Sequence, residues 1–223
     1  MTSATSEQQE TVRQAARGLA RAGLVHAYGH CSLRLDPDHL LVCAAMPMGM
    51  IRDEPGTVVP INGPLPEGVL GEVRAHQAIY RLRPDVGGIC RTTPPHVMTL
   101  STQRITPRPR HGMGAYFAPC PPLWDNPRLL RDDESAAKLA ETMGDAAAIV
   151  MRGNGAITAG RTLEEAVTMA VFLEDSARVE RDVRAMGFDP DSGVMSQEEI
   201  EGRRVFAGGV IERMWAWITR TGD

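Results

Sequence analysis

The stretch GEVRAHQAIYRLRPDVGGICRTTPPH, residues 71–96, carries the clearest structural pattern in this 223-residue chain. Its first half predicts a helix that ends before Pro84, because proline disfavours helical backbone in the residue before it. Its second half predicts a buried strand over 86–92, since these residues are mostly apolar. Glu72 and His76 are four residues apart and therefore share one face of the helix. The stretch thus predicts a helix, a tight turn and a buried strand in succession.

Helices and short strands alternate along the rest of the chain. Possible capping boxes begin at Ser6, Thr162 and Ser196, each with Glu or Gln three residues later. The predicted helices cover 6–22, 68–83, 95–101, 133–143, 162–187 and 196–220, the last interrupted at Gly208-Gly209. The predicted strands cover 31–35, 39–44, 57–61, 86–92, 112–117, 146–151 and 156–159. These elements predict a single α/β domain over 1–223, with a central, mostly antiparallel sheet flanked by helices.

Composition and charge are those of an ordinary globular protein, with 43% hydrophobic and 23% charged residues. The net charge of −4 leaves no basic surface for nucleic acid or an anionic membrane, so we expect neither as a partner. The polar N-terminus and the lack of a long apolar run predict a cytoplasmic protein. Four cysteines without a C-x-x-C pair favour buried, inert thiols. The single lysine, Lys138, lies on a predicted surface helix, which argues against imine chemistry.

Three segments resemble a known family. They are residues 23–34 (GLVHAYGHCSLR), 78–86 (AIYRLRPDV) and 151–166 (MRGNGAITAGRTLEEA). Together they are similar to characteristic segments of the class II aldolase/adducin family, and the similarity extends over about residues 10–185. The resemblance implies a large antiparallel sheet between helices, assembly as a homotetramer and active sites at subunit interfaces. Family members include aldolases, epimerases, dehydratases and decarboxylases.

The resemblance also implies a metal-dependent active site, and here the chain departs from the family. In the aldolases three histidines hold zinc, which stabilises an enediolate, and a glutamate transfers the proton. Glu72 matches that glutamate, but Arg91, Thr93 and Asn154 stand at the three histidine positions. Zinc prefers thiolate, imidazole and carboxylate ligands, whereas arginine offers only hydrogen-bond donors and a permanent positive charge. We therefore expect no metal cofactor and predict that Arg91 supplies the positive charge.

The candidate site residues follow from these matches and from the remaining histidines. By family position His30 and His111 are expected to face one cavity, and a relocated metal site with Glu72 stays open as an alternative. A structural explanation also stays open, in which the histidines are core residues and Arg91 forms an internal ion pair with Glu72. The predicted catalytic residues are Glu72, Arg91, His111 and His30. The predicted substrate-binding residues are Arg91, Gly29, Thr93, Asn154, His76 and Tyr116.

The predicted substrate class follows from two segments in which this chain differs from the aldolases. Residues 44–47 and 70–71 replace hydroxyl-bearing segments that bind phosphate in the aldolases, so a small carboxylated acid is favoured over a sugar phosphate. The predicted function is a metal-independent lyase that acts on a hydroxy, keto or aromatic acid by decarboxylation or retro-aldol cleavage. Two alternatives stay open: a non-catalytic binding or oligomerisation protein, and an isomerase, epimerase or cyclase. The expected partners are a small-molecule substrate and further copies of the chain in a homotetramer.

Overall fold

The computed structural model describes residues 2–220, and its strands form one seven-stranded sheet. The strands are β1 (His30–Arg34), β2 (His39–Val42), β3 (Thr57–Pro60), β4 (Gly88–Thr92), β5 (Leu123–Trp124), β6 (Ala148–Met151) and β7 (Gly155–Gly160). Their order across the sheet is β3-β2-β1-β4-β7-β6-β5. Neighbouring strands are antiparallel except β5 and β6, which are parallel. The predicted α/β fold with a mostly antiparallel central sheet is confirmed.

Seven α-helices flank the sheet within the described residues. They are α1 (Ser6–Arg21), α2 (Val73–Leu82), α3 (Pro95–Thr102), α4 (Asp133–Met143), α5 (Leu163–Ala185), α6 (Gln197–Arg203) and α7 (Val210–Thr219). The C-terminal region thus forms two helices, separated where Gly208 and Gly209 adopt positive φ angles. None of the helices between residues 2 and 220 has the length and apolar character needed to cross a bilayer.

Two local predictions need correction. The capping box of α1 is formed by Thr5 and Gln8, one residue earlier than predicted, because the Thr5 hydroxyl accepts the Gln8 N–H. The segment predicted as a strand at 112–117 forms instead a 3₁₀ turn, Gly114–Phe117. Its aromatic residues Tyr116 and Phe117 pack against α5 and not against another strand. The capping box of α6, from Ser196 to Glu199, is confirmed.

The two faces of the sheet are covered by different helices. Helices α2 and α4 pack on one face, around Leu40, Val59, Ile79, Ile89, Leu139, Ile149 and Ile157. Helices α1, α3 and α5 pack on the other, around Leu19, Cys31, Leu41, Cys90, Ala170, Val150 and Leu173. Successive residues of a strand point to opposite faces. Since Cys31 and Cys90 face α1 and α5, their neighbours His30 and Arg91 face α2.

Two glycines at the start of β4 let α5 approach the sheet closely. A Cβ atom on Gly87 would lie 2.0 Å from the carbonyl oxygen of Arg161, and one on Gly88 would lie 2.3 Å from the Cα atom of Leu163. Both contacts are with backbone, which cannot move aside as a flexible side chain can. The Gly-Gly pair therefore fixes the position of β4, whose other end carries Arg91.

A buried carboxylate holds the 107–111 segment against α5. Glu180 on α5 is fully buried and accepts hydrogen bonds from Arg110 Nε and Arg184 Nε, each at 2.6 Å. Burial alone would raise the pKa of Glu180, but the hydrogen bonds from Arg110 and Arg184 outweigh it and lower the pKa below its ordinary value. The ion-pair cluster is therefore a structural anchor for a segment that has little regular structure of its own.

Glu180→Gln is expected to destabilise the protein by about 3–5 kcal/mol, because it leaves buried guanidinium groups without their counter-charge. The loss is measured as the change in the free energy of unfolding in urea at pH 7. The pKa of Glu180 is lower in the folded protein than its ordinary value of 4.5. The ionised Glu180 carboxylate therefore contributes its full stabilisation above pH 4.5, and this stabilisation is lost as the pH falls through the lowered pKa. The difference in the free energy of unfolding between wild type and variant should therefore become smaller at acidic pH.

A matched control is Glu134→Gln, which removes the exposed ion pair between Glu134 and Lys138 on α4. An exposed pair one helical turn apart contributes far less to stability than a buried one, because solvent screens its charges. Equal losses in the two variants would contradict the anchoring role of Glu180.

Candidate active site

A cavity of about 690 Å³ opens where β1 begins and β4 ends. Its walls come from those two strands, the residues before α2, the turn between β6 and β7 and the loop before α4. Antiparallel pairing brings His30 directly opposite Arg91, and both residues line the cavity together with Glu72, Thr93 and Asn154. The volume is typical of sites for small molecules, which span about 300–1,000 Å³.

Arg91 forms the base of the cavity and is almost fully buried. Its Nη2 donates to the side-chain oxygen of Asn154 at 2.7 Å, and its Nε lies 3.1 Å from Glu72 Oε2, an ion-pair distance without hydrogen-bond alignment. Its Nη1 is buried and has no hydrogen-bond partner among residues 2–220. Burial lowers the pKa of Arg91, and the neighbouring Glu72 carboxylate opposes that effect. The guanidinium therefore keeps unused donors beside the cavity.

Glu72 stands immediately before α2 rather than inside it. A carboxylate at this end of a helix is favoured by the helix dipole. Its Oε2 contacts Arg91, while its Oε1 has no hydrogen-bond partner within the described chain. The expected internal ion pair is therefore present, and it is also part of the cavity wall. The geometry is thus compatible with both the structural and the functional interpretation of this pair.

Asn154 reaches Arg91 because of a tight turn between β6 and β7. Gly153 and Gly155 flank it with φ angles of 65° and 84°, in the left-handed region that favours glycine. A Cβ atom on Gly155 would lie 2.0 Å from the carbonyl oxygen of Thr92 at the end of β4. This close approach of the turn to β4 brings the Asn154 amide to the guanidinium. The side-chain nitrogen of Asn154 stays without a partner in residues 2–220.

Gly29 and Thr93 complete the part of the cavity that the sequence predicted. Gly29 has a φ of 152°, and a Cβ atom there would lie 2.6 Å from the Val25 side chain. The backbone N–H of Thr93 donates to the Leu24 carbonyl at 2.8 Å, which ties the end of β4 to the segment before β1. Both residues therefore shape the wall through their backbone.

His76 lies one layer deeper than predicted. It is fully buried behind His30 and does not line the cavity, so its predicted contact with substrate is not seen. His30 Nδ1 and His76 Nε2 are 2.9 Å apart, and His76 Nδ1 is 2.7 Å from the Ser32 hydroxyl oxygen. The prediction placed His76 on the same face as Glu72. However, Glu72 precedes the helix, and His76 lies a full turn inside it against β1.

His111 and Tyr116 are not brought to this cavity within a single chain. His111 lies near Asp175 and Arg178 of α5, on the opposite face of the sheet from Arg91, and burial lowers its pKa. Tyr116 donates through its hydroxyl to the carbonyl oxygen of Val205 at 2.6 Å. The expectation that His30 and His111 face one cavity is therefore corrected. The physical reason is the Glu180 anchor, which holds the 107–111 segment on α5.

The residues at the family's metal position do not fit a zinc ion. A guanidinium occupies the centre of the donor set, beside a threonine and an amide. A permanent positive charge there repels a cation. A single chain does not bring His30, His111 and Glu72 together, because His111 lies across the sheet from the other two. Across residues 2–220, no group of three or more His, Cys, Asp or Glu side chains is placed to hold a metal ion.

The sequence did not single out several residues at the mouth of the cavity. Arg131, in the loop before α4, adds a second guanidinium to the lining. Tyr28 and Leu129 also line it, although 79% and 56% of their surfaces are exposed. All three lie outside helices and strands, so no periodic pattern could indicate them.

The family assignment comes from comparison with known proteins. The family model for the class II aldolase and adducin N-terminal domain matches residues 10–180. The chain belongs to this family. The family resemblance inferred from the three sequence segments is therefore confirmed. L-fuculose-1-phosphate aldolase from Thermus thermophilus superposes with a TM-score of 0.74 at 24% identity, over 82% of this chain and 97% of that one.

Two bacterial relatives narrow the activity. The 3,4-dihydroxyphthalate decarboxylase of Arthrobacter keyseri is 28% identical over an alignment of 218 positions, and the match covers 87% of each chain. The enzyme of the same name from Rhodococcus jostii is 26% identical over 196 residues, covering 79% of this chain and 80% of that one. Together with the family, these relatives identify the chain as a carbon–carbon lyase of the decarboxylase or aldolase type with a small-molecule substrate.

Proposed function

We propose that this family member is a metal-independent decarboxylase of a small hydroxylated aromatic carboxylic acid, in which Arg91 takes the place of the metal. The observation that carries the proposal is the buried Arg91 guanidinium in the cavity wall, with Nη1 unpaired within residues 2–220. Buried guanidinium donors normally find acceptors. An anionic substrate would supply them.

The chemistry needs a site that stabilises negative charge. In decarboxylation the bond between the ring carbon and the carboxylate carbon breaks, carbon dioxide leaves and a proton takes its place on the ring carbon. Protonation of the ring carbon first converts the neighbouring ionised hydroxyl group into a carbonyl, and the electron pair of the breaking bond then moves onto that oxygen as carbon dioxide leaves. A fixed guanidinium in a partly buried site stabilises such an oxyanion because it needs little reorganisation. Arg91 would supply that charge without a metal ion.

Glu72 is the group that would move the proton. It lines the same cavity, and one of its two oxygens has no protein partner inside the 2–220 range. As a base it would take the proton of the substrate's hydroxyl group, and as an acid it would then place that proton on the ring carbon before carbon dioxide leaves. Solvent entering the open cavity would return a proton to the oxygen of the product. Proton transfer by a positioned carboxyl group contributes about 10²–10⁴-fold to a rate.

The lining also suits an aromatic acid with a second negative charge. Ala45, Met46, Pro47 and Leu70 form apolar surfaces, and Arg131 adds a second cation at the mouth. The curated relatives from Arthrobacter and Rhodococcus are named for a phthalate, which is an aromatic dicarboxylate. Two guanidinium groups on one apolar cavity would bind the two carboxylates of such a compound. This matching charge supports a dicarboxylate over a monocarboxylate as substrate.

The proposal predicts that chelation leaves activity unchanged. The purified chain is dialysed against EDTA, its metal content is measured by elemental analysis, and 3,4-dihydroxyphthalate is added. We expect carbon dioxide release at the rate of the undialysed protein, with far less than one metal ion per chain. Loss of turnover on chelation that zinc or manganese restores would overturn metal independence while keeping the decarboxylase. Failure to release carbon dioxide from any hydroxylated aromatic acid tested would overturn decarboxylation itself.

We also propose that a second copy of the chain covers the mouth of the cavity. The exposed Tyr28, Leu70 and Leu129 side chains form an apolar rim there, which a neighbouring subunit would bury. The homotetramer implied by the family resemblance stays a prediction.

A further inference from the structure

We infer that His30 acts as a neutral hydrogen-bonding group whose Nε2 is fixed toward the substrate cavity by a buried column formed with His76, Ser32 and Tyr80. His76, Ser32 and Tyr80 are then positioning residues. The inference rests on the proposed function for the identity of the ligand, and it removes His30 from the acid–base groups. Proton transfer is left to Glu72.

The column arises because a strand and a helix present matching spacings. His30 and Ser32 are two residues apart on β1, which is about 6.6 Å along a strand, and they share one face. His76 and Tyr80 are four residues apart on α2, about 6 Å along a helix, and they also share one face. The two pairs therefore interlock side by side. All four residues are at most 2% exposed.

The hydrogen bonds run in one line from the interior to the cavity. The Tyr80 hydroxyl is 3.1 Å from Ser32 Oγ and also donates to the Ser32 carbonyl oxygen at 3.1 Å. Ser32 Oγ lies 2.7 Å from His76 Nδ1, and His76 Nε2 lies 2.9 Å from His30 Nδ1. When both imidazole rings are neutral, one proton lies between Ser32 Oγ and His76 Nδ1 and one lies between His76 Nε2 and His30 Nδ1. Each of these three nitrogens then has a hydrogen-bond partner. His30 Nε2 is buried and is left without a partner in the described chain, and His30 is one of the residues that line the cavity.

The charges around the column oppose protonation of either ring. Arg91 is the cross-strand partner of His30 on β4. Glu72, which immediately precedes α2, has a carboxylate whose Oε2 contacts Arg91. Neither His30 nor His76 hydrogen-bonds or ion-pairs with a carboxylate within residues 2–220. An imidazolium in this place would be buried beside a guanidinium with no counter-charge of its own.

The pKa values agree with this geometry. Burial, then His76 and then Arg91 lower the pKa of His30 well below its usual range. Burial and then Arg91 lower the pKa of His76 to about 3. A histidine whose pKa lies well below its usual range is neutral near pH 7. His30 can therefore accept or donate one hydrogen bond, but it cannot deliver a proton as an imidazolium.

Nitrogen-15 NMR of the full-length, histidine-labelled protein tests the inference without any substrate. The ring signals of His30 and His76 are assigned by their absence in His30→Gln and His76→Gln, and free imidazole in the sample reports the pH. We expect neither ring to titrate between pH 5.5 and pH 8.5. A midpoint for His30 inside that window overturns the inference, whether or not the protein proves to be a decarboxylase.

A matched pair of variants tests the role of the Nε2 atom. Glutamine can place its amide nitrogen where Nε2 stands, whereas asparagine can reach only the inner position of Nδ1. With 3,4-dihydroxyphthalate as substrate we expect His30→Gln to lower kcat/KM less than His30→Asn does, because only glutamine keeps a hydrogen-bonding atom at the Nε2 position. His30→Asn should lose about 3- to 10-fold, the worth of one neutral hydrogen bond. Both variants should show the same dependence of kcat/KM on pH as the wild type. If either variant no longer shows the fall in kcat/KM on the acidic or the basic side, His30 titrates during the reaction and the inference is overturned.

Discussion

Arg91→Met is expected to lower kcat/KM for decarboxylation by at least about 10³-fold. Removing one donor to a developing oxyanion costs about 10²–10³-fold, and the variant also loses the charge that would bind the anionic substrate. Methionine fills a similar length with an apolar side chain and leaves Glu72 and Asn154 without their shared partner. Steady-state kinetics measure the effect, and circular dichroism reports whether the fold is kept.

Two further arginine substitutions separate charge from geometry. Arg91→Lys keeps a positive charge, but an ammonium group cannot hold Asn154 and a carboxylate in one plane. We expect it to recover only part of the lost activity. Arg81→Met is the control, because Arg81 is an exposed arginine on α2 that donates to the Ile61 carbonyl away from the cavity. If Arg91→Met turned over within three-fold of the wild type, the cation in the cavity would have no part in the reaction.

The parts of the site that could be predicted from the sequence are the ones fixed by local structure. Arg91, Thr93 and Asn154 follow from the resemblance, because they stand at the family's histidine positions, and these positions lie at the end of a buried strand and in a Gly-Asn-Gly turn. The antiparallel pairing of β1 with β4 then brings His30 opposite Arg91. Strand ends and tight turns depend on a few neighbouring residues, and these local patterns are visible in the chain itself.

The parts that could not be predicted depend on contacts between distant residues. His111 is on the wrong face for the cavity because Arg110 pairs with Glu180, which is 70 residues away. Tyr116 is held by the carbonyl oxygen of Val205, 89 residues away. The segment 112–117, predicted to be a strand, pairs with no strand of the sheet within residues 2–220. Hydrophobic spacing does not contain this information.

A guanidinium can replace a metal ion only for part of the metal's work. It carries one positive charge and directs donors in a plane, so it binds a carboxylate or steadies an oxyanion. It does not polarise a ligand as strongly as zinc does. The substrate must therefore spread negative charge over its own atoms, which a hydroxylated aromatic ring does. This limit makes an aromatic acid a better match to Arg91 than a simple sugar.

Glu72→Gln is expected to lower kcat by about 10²–10⁴-fold while KM changes little, because the amide keeps the shape of the side chain but cannot transfer a proton. Its oxygen can still approach Arg91, so the guanidinium should keep its place and substrate should still bind. Stopped-flow turnover and calorimetric binding of 3,4-dihydroxyphthalate measure the two quantities separately. A rise in KM with unchanged kcat would show that Glu72 serves only to hold Arg91.

The double variant Glu72→Gln with Arg91→Met decides whether the two residues act together. Groups that act in one step lose far less in combination than the sum of their separate losses. We expect the double variant to be hardly slower than Arg91→Met alone. The control is Glu174→Gln, another partly buried carboxylate that bonds the His96 ring and the start of α3, outside the cavity wall. Because Glu174 lies away from the cavity, its loss should affect stability and leave kcat unchanged. Fully additive losses at Glu72 and Arg91 would mean that they serve separate steps.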